Sequence, residues 1–538
     1  MKTWKRIAST LMAIMMMVTL LAVPANAASG SLSITVAGGK GRTFEAYQIF
    51  KGDLAGNILS NVQWGDGVTI GTNSGLLKAL QDSDYFGARF DTCSTASDVA
   101  SVMEESTIWT EADTIEFAKI VANNLSAKSG TGSDSGNDYK IDDLEAGYYF
   151  VKETTVGNAN DAYSRYIISL TSSTAIEIKK DLPTLIKKVS LKTDSGFAEG
   201  VSAAVSNTVY YSLTAQLHAR LSDYSTYKLQ FEDTLPASLN YSGLVAVYVN
   251  DKKVESSVLQ NVKYGIDDEV NGQKVTVTIG DARALVKDVL ANVTSATDRV
   301  TVVISATVQQ GVTLGANGHD SNKNTAVLKY SNNPNPGNET SMGVTAEDTA
   351  YFHSYELVVN KVDSADSTKK LAGAEFTIQF EDDNGQTQYV KANETAANSG
   401  IYVVESMTDE SGATKFTTNA QGWFTVKGLR EREYRLKETK APGGYNTIND
   451  LQRVIISAEH NVLTGELTNL NASRVGSFIT IDSTDKATGT VTATITNNQG
   501  AVLPSTGGMG TTVLYLAGSA MMVGAAAILL AKKRFAQG

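Results

Sequence analysis

Val491-Thr492-Ala493-Thr494-Ile495-Thr496-Asn497 alternates apolar and hydroxyl-bearing side chains, ending on an amide. A strand turns successive side chains to opposite faces, so a period of two is what a half-buried strand requires, and β-branched residues pack well on that pleated surface. Similar runs, rich in Thr, Val, Ile and Tyr and separated by clusters of Gly, Asn, Asp and Ser, recur along the 538 residues. They predict antiparallel β-sandwiches in tandem. Only the first third reads as partly helical, over 75–81 and over 110–124, where Ile115, Phe117, Ile120 and Val121 recur at helical spacing. The Ser-, Gly- and Asp-rich stretch from Ser126 to Asp138 reads as a mobile surface loop.

The two ends carry processing signals. Lys2, Lys5 and Arg6 precede an apolar run from Ile7 to Val23, and Ala25-Asn26-Ala27 supplies the small-x-small cut site of a secretory signal peptide. At the other end Leu503-Pro504-Ser505-Thr506-Gly507 is followed by an apolar run from Val513 to Ala531 and by Lys532-Lys533-Arg534. At about 1.5 Å per helical residue that run rises roughly 28 Å, close to the hydrocarbon thickness of a bilayer. The cations behind it hold the terminus in the cytoplasm. This order reads as a cell-wall sorting signal; a bare anchor has no need of the pentapeptide at that spacing. The segmentation that follows is 1–27 signal peptide, 28–182 N-terminal domain, 183–349 middle sandwich, 350–502 C-terminal sandwich and 503–538 sorting signal.

Composition narrows the function classes. The chain has 46 Lys and Arg against 57 Asp and Glu, and six of the basic residues lie in the two processed ends, which contain no acid. The mature chain then carries 40 basic and 57 acidic groups, a net charge of −17, which repels nucleic acid and anionic membranes. A lone cysteine, Cys93, excludes an internal disulfide in an exported protein. The four histidines, His218, His319, His353 and His460, lack metal-ligand spacing, so no metal or cofactor is expected. Asp320-Ser321-Asn322-Lys323-Asn324 imitates the start of a calcium loop but lacks its Gly and distal Glu. No phosphate-binding glycine loop or serine nucleophile elbow is present.

Parity within the strands brings chemistry together. Tyr355, Leu357, Val359 and Lys361 share one strand face, Tyr434, Leu436 and Glu438 another, and Val491, Ala493, Ile495 and Asn497 a third. An amine, an acid and an amide converge on one core. The middle segment repeats the set: Lys187 with Leu185, Val189 and Leu191; Asp233 with Leu229, Phe231 and Leu235; Asn324 with Ala326, Leu328 and Tyr330. Burial lowers the pKa of a lysine and raises that of a carboxyl, so both can be neutral there. A neutral amine is a nucleophile, and a protonated carboxyl can polarise the amide by donating to its oxygen. Two arrangements remain open on parity alone: a buried salt bridge with a hydrogen-bonded Asn, or an isopeptide bond formed with loss of ammonia.

Tyr434-Arg435-Leu436-Lys437-Glu438-Thr439-Lys440-Ala441-Pro442-Gly443-Gly444-Tyr445 resembles the E-box of Gram-positive pilins, whose Glu assists isopeptide formation in a collagen-adhesin B-type domain. Phe231-Glu232-Asp233-Thr234-Leu235-Pro236-Ala237-Ser238-Leu239 and Pro183-Thr184-Leu185-Ile186-Lys187-Lys188-Val189 resemble the Asp-bearing and opening strands of shaft-pilin middle domains. With the two end signals, the resemblance to backbone subunits of sortase-assembled pili spans essentially the whole chain. It implies immunoglobulin-like sandwiches of the collagen-adhesin A and B types, the first with helical insertions. It implies isopeptide pairs Lys187–Asn324, assisted by Asp233, and Lys361–Asn497, assisted by Glu438, with Asn332 as a second option in the middle domain. A class C pilin sortase is expected to cleave between Thr506 and Gly507 and to join Thr506 to a lysine of the next, identical subunit. A housekeeping sortase, accessory pilins and peptidoglycan are the further partners implied.

That lysine falls in Ile176-Glu177-Ile178-Lys179-Lys180-Asp181-Leu182-Pro183, which lacks the family's usual proline and asparagine; register favours Lys179, with Lys180 second. Gly147 to Glu153 echoes the E-box in the first domain, but the closing strand from Arg165 to Lys180 has no Asn, so no internal isopeptide is expected there. The rival reading is a monomeric wall-anchored adhesin that binds a host or matrix ligand.

Overall fold

The computed structural model describes residues 31–71, 73–105, 109–179, 181–255, 267–290, 297–501 and 510–535. The expected signal peptide, Lys180 and the Leu503–Gly507 pentapeptide lie outside the described residues. The chain is mostly β, built as successive sandwich units with an apolar helix, Gly510–Phe535, at the C-terminal end.

The first unit has two four-stranded sheets, one ordered Thr131–Ser135, Asp138–Leu144, Leu32–Ala37, Thr174–Glu177 and the other Ile58–Trp64, Thr43–Ala55, Gly147–Thr155, Arg165–Leu170. Ile34, Val36, Phe44, Ile141, Tyr149 and Val151 pack between them. Helices Leu76–Gln81, Ala96–Glu104 and Glu111–Ala122 cover the second sheet through a separate cluster around Phe50, Phe86, Phe90 and Phe117. Local chemistry sets two of the helix starts: Thr95 and Thr110 each accept from the backbone N–H three residues on, and Asp98 and Asp113 return the bond.

The middle unit faces a five-stranded sheet, which runs from Lys252–Lys253 to the edge strand Thr184–Ser190, against a sheet centred on Leu229–Thr234 and Lys323–Ser331. In the third unit one continuous hydrogen-bonded path runs from Leu467–Val475 to Ile479–Asp485. Within it Tyr355–Asp363 lies between Trp423–Leu429, antiparallel, and Thr490–Asn497, parallel.

The sandwiches are therefore not purely antiparallel. In every unit the closing strand runs parallel to an early one: Thr174–Glu177 beside Leu32–Ala37, Asp348–His353 beside Gly200–Ser202, and Thr490–Asn497 beside Tyr355–Asp363. Parallel neighbours need a long connection, and here the rest of the unit supplies it.

Other expectations are corrected. Part of the expected loop from Ser126 to Asp138 is an edge strand, Thr131–Ser135, in a hairpin with Asp138–Leu144, turned at Gly136 with φ 66°. All five of its residues are exposed, so no apolar alternation announces it. Helix is not confined to the first third: Ala282–Leu290 is a helix of the middle unit that buries Ala282, Leu285 and Val286, an i, i+3, i+4 stripe. Ala96–Glu104 was likewise unforeseen. The stretch from Arg165 to Lys180 is two strands in different sheets, Arg165–Leu170 and Thr174–Glu177. Asp348–His353 spans the expected 349/350 boundary and pairs with Lys323–Ser331 in the middle sheet, with Ser354 following it.

Backbone hydrogen bonds link the middle and third units there. Gly315 N–H donates to Ser354 O at 2.9 Å, Val205 N–H to Gly428 O at 3.0 Å and Asn317 N–H to Ala487 O at 2.9 Å. Three histidines scattered in sequence stack there, with ring centroids 5.9 Å apart for His319 and His353 and 5.2 Å for His353 and His460.

Thr110→Ala removes the side-chain half of a capping box, the bond Thr110 Oγ1 accepts from Asp113 N–H, and should cost about 1 kcal/mol. Urea denaturation followed through Trp109, which stacks on Phe86 in the first-unit core, should show an earlier midpoint with an unchanged slope.

Candidate functional site

The third unit brings Lys361, Glu438 and Asn497 together. Lys361 and Asn497 lie on neighbouring parallel strands, with Lys361 opposite Ile495 and Asp363 opposite Asn497, so the two side chains sit one pleat apart on the inner face. Both are 0% exposed. Lys361 Nζ donates to Asn497 Oδ1 and to Ile495 O, the latter at 3.3 Å, and lies 3.7 Å from Glu438 Oε1. Glu438 reaches in from Arg432–Lys440, and Asn497 Nδ2 donates to its Oε1 and Oε2 at 3.1 and 3.2 Å and to Asn446 O at 3.0 Å. Ile448 N–H donates to Glu438 Oε2 at 2.7 Å. Burial pushes the Lys361 amine down to about 8, against the opposing pull of Glu438.

One detail departs from the sequence expectation. The carboxyl was expected on the amide oxygen; it faces the amide nitrogen instead, and the amine faces the oxygen. The backbone groups of Asn446 and Ile448 that orient the acid and amide were also missed. Main-chain N–H and C=O groups leave no signature in side-chain pattern.

In the middle unit Lys187 starts from the edge strand of one sheet and crosses the sandwich. Its Nζ pairs with Asp233, on a strand of the facing sheet whose neighbour carries Asn324. Lys187 and Asn324 are 0% exposed and Asp233 is 2% exposed. Tyr211, whose ring centroid is 4.8 Å from Nζ, and Asp348, whose Oδ2 accepts from Lys187 N–H at 2.7 Å, complete the surroundings. Burial lowers the lysine and raises the carboxyl, each opposed by the other's charge. Asn324 lies beside Asp233 and Tyr211, yet neither its Oδ1 nor its Nδ2 makes a hydrogen bond of ordinary geometry, and Asp233 Oδ1 and Tyr211 Oη are likewise unpartnered. Asn332 is elsewhere: its Nδ2 donates to Ala159 O and Asp161 O, both at 3.1 Å, in the first unit.

Glu153, the E-box echo of the first unit, is fully buried and paired with Arg42 at 2.6 Å, while Ser164 N–H donates to its second oxygen at 2.9 Å. A guanidinium stays charged at any physiological pH and has no free amine to offer. Lys179 is half-buried just beyond Thr174–Glu177.

Comparison with known proteins bears on what such units belong to. A family model described as a prealbumin-like fold domain matches residues 355–471, and one described as the LPXTG cell wall anchor motif matches 495–534. The trypsin-resistant surface T6 protein of Streptococcus pyogenes serotype M6 is 25% identical over 440 residues, covering 75% of this chain and 78% of the relative.

The chain is thus similar to a surface protein of S. pyogenes over three quarters of its length and carries an LPXTG cell wall anchor motif.

Among solved structures, the T6 backbone pilin of serotype M6 S. pyogenes aligns at 16% identity and TM-score 0.45, over 88% of this chain and 98% of that one. The full-length major pilin SpaD of Corynebacterium diphtheriae aligns at 18% and 0.39, over 88% and 98%. The C-terminal helix contains a span, Val513–Phe535, whose most apolar 18 residues have a mean hydropathy of 2.1. That helix is long and apolar enough to hold the pilin in the membrane transiently, before transfer to the cell wall.

A depressed lysine pKa has a signed consequence. Between about 8 and the ordinary lysine value of about 10.4 the unfolded chain binds the proton that folded Lys361 has lost, so stability rises with pH across that window. In an Asn497→Ala variant chemical denaturation midpoints should increase from pH 8 towards pH 10, and the increase should vanish in Lys361→Met/Asn497→Ala.

Proposed function

We propose that this pilin is the shaft subunit of a covalent pilus, divided into units at about residue 182 and at Ser354, and welded internally at Lys187–Asn324 and Lys361–Asn497. The observation that carries the reading is the dry contact of amine, amide and acid around Lys361, with an equivalent set around Lys187 whose amide has no other partner. Orphaned buried amide groups are rare and costly. A covalent bond between Asn324 and Lys187 leaves the amide one N–H in place of two and so lessens that cost.

In the third unit the step runs as follows. The neutral Lys361 amine attacks Asn497 Cγ; the Nζ–Cγ bond forms and the Cγ–Nδ2 bond breaks. The Glu438 carboxyl, 3.1 Å from Nδ2 and 3.7 Å from Nζ, relays a proton from the attacking Nζ to the departing nitrogen. Ammonia leaves, an amide remains, and the acid is regenerated. Asp233 serves Lys187 in the same way. The chain thus modifies itself and turns over no substrate.

Assembly uses the other amine. A class C sortase cysteine cleaves Thr506–Gly507 and holds Thr506 as a thioester. Lys179 of the next subunit attacks that carbonyl, the C–S bond breaks as the C–N bond forms, and the amine proton ends on the thiolate. A housekeeping sortase would transfer the finished polymer to peptidoglycan.

Closing a loop whose ends are 136 residues apart is worth about 4 to 5 kcal/mol in the chain-entropy model. Intact mass spectrometry of the recombinant mature chain should read two ammonia molecules below the sequence mass, and Lys187→Ala and Lys361→Ala should each restore one; a full sequence mass would overturn the internal bonds. Wall extracts on a denaturing gel should show a high-molecular-weight ladder that Lys179→Ala abolishes. Single bands from the unaltered chain would favour the monomeric adhesin.

A further inference from the structure

Asn497, which carries the amide of the third-unit site, is the last residue of its strand, and the chain leaves the sheet immediately after it. Strand ends fray unless tied down, and an amide that swings away from Lys361 cannot be attacked. The fold ties this one down with polar contacts. Tyr355–Asp363 ends level with Thr490–Asn497, so Asp363 stands opposite Asn497 in register, on the same strand and the same face as Lys361. Asp363 is 3% exposed, and its carboxylate gathers four donors. Ala365 N–H donates to Oδ1 at 2.8 Å, while Tyr445 Oη, Gln499 Nε2 and Lys369 Nζ donate to Oδ2 at 2.8, 3.0 and 3.4 Å.

Tyr445 closes the stretch that also carries Glu438. It is delivered by a turn in which its N–H donates to Pro442 O at 3.1 Å and Gly444 takes a φ of 85°, a conformation that favours glycine. The same turn grips the departing chain. Gly500 N–H donates to Gly444 O at 2.9 Å, and Asn446 N–H donates to Asn498 O at 3.0 Å. From the other side Ser364 N–H donates to Asn497 O at 3.0 Å, and Ser364 Oγ donates to Asn498 Oδ1 at 2.6 Å. Hydrophobic burial does not account for this order: Asn498 and Gln499 are exposed and polar, and Gly500 has no side chain.

We propose that Asp363, Tyr445 and Gln499 are positioning residues for the Lys361–Asn497 bond: the strand that supplies the amine also supplies the carboxylate that pins the end of the strand supplying the amide. The proposal rests on that bond forming. Until it forms, hydrogen bonds and packing alone keep Asn497 against Lys361, and each hydrogen bond lost raises the share of time the amide spends away from the amine. The latch touches neither Nζ nor Cγ, so it changes how often they meet and not how they react. One stretch of chain then serves twice: Glu438 meets the amide, and Tyr445 fixes the segment that carries it.

The test follows both internal bonds in the full mature chain, made by pulsed cell-free translation and quenched in acid at intervals. Peptide mass spectrometry scores the loss of ammonia at each lysine–asparagine pair. Tyr445→Phe, which removes only the hydroxyl, and Gln499→Glu, which sets a second carboxylate against Asp363, should each slow the third-unit bond by about fivefold, the worth of one hydrogen bond. The Lys187–Asn324 bond should keep its rate, because the latch lies wholly in the third unit. Asp363→Asn combined with Gln499→Glu exchanges acceptor and donor and should bring the third-unit rate back. Unchanged rates, a slowing of both bonds together, or a double variant slower than Gln499→Glu alone would overturn the latch while leaving the bond. An unaltered chain that never loses ammonia at Lys361 would overturn the bond, and the latch with it.

Discussion

A primary amine buried against apolar side chains is the constraint on which the middle and third units depend. Desolvating a charged lysine costs several kcal/mol, so the group survives in a core only by losing its charge or by finding an acid beside it. Lys187 and Lys361 have both a carboxyl and an amide within the same dry volume. The first unit places an arginine beside its buried acid: Arg42 pairs with Glu153 and Asp161. Its interior holds an ionic network, where the interiors of the other two hold an amine, an acid and an amide.

Strand direction gives that chemistry its mechanical meaning. In each unit the closing strand runs parallel to an early one, so tension applied at the two chain ends pulls that pair in shear. In the third unit Lys361 and Asn497 sit on the two members of the parallel pair itself. The bond proposed there crosses the plane along which the unit would otherwise slip. In the middle unit Lys187 spans from one sheet to the other, and the bond proposed there would tie the two faces of the sandwich.

The units are joined by more than their linking residues. Residues 330–344 of the middle unit wrap the loop 158–163 of the first: Tyr330 Oη donates to Asn160 O at 2.6 Å, Asn332 binds Ala159 and Asp161, and Tyr163 N–H donates to Asn332 O at 2.8 Å. The middle–third junction is sealed by backbone pairs and by the stacked His319, His353 and His460. Both junctions draw on loops that carry no periodic pattern.

Local pattern was enough for much of this protein. Period-two alternation marks Tyr355–Asp363, Arg432–Lys440 and Thr490–Asn497 as strands, and the same parity turns Lys361, Glu438 and Asn497 inward, because a side chain's face depends only on its place in its own strand. The end signals are equally local. What parity cannot supply is the partner. That Asn324 rather than Asn332 lies beside Asp233, that Glu438 meets the nitrogen of Asn497, that three distant histidines stack, and that Arg165 reaches Asp223 O all follow from register and packing between segments far apart in sequence. The exposed strand Thr131–Ser135 escaped for a related reason: its pairing with Asp138–Leu144 is set by a glycine turn and backbone hydrogen bonds, which side-chain hydrophobicity does not record.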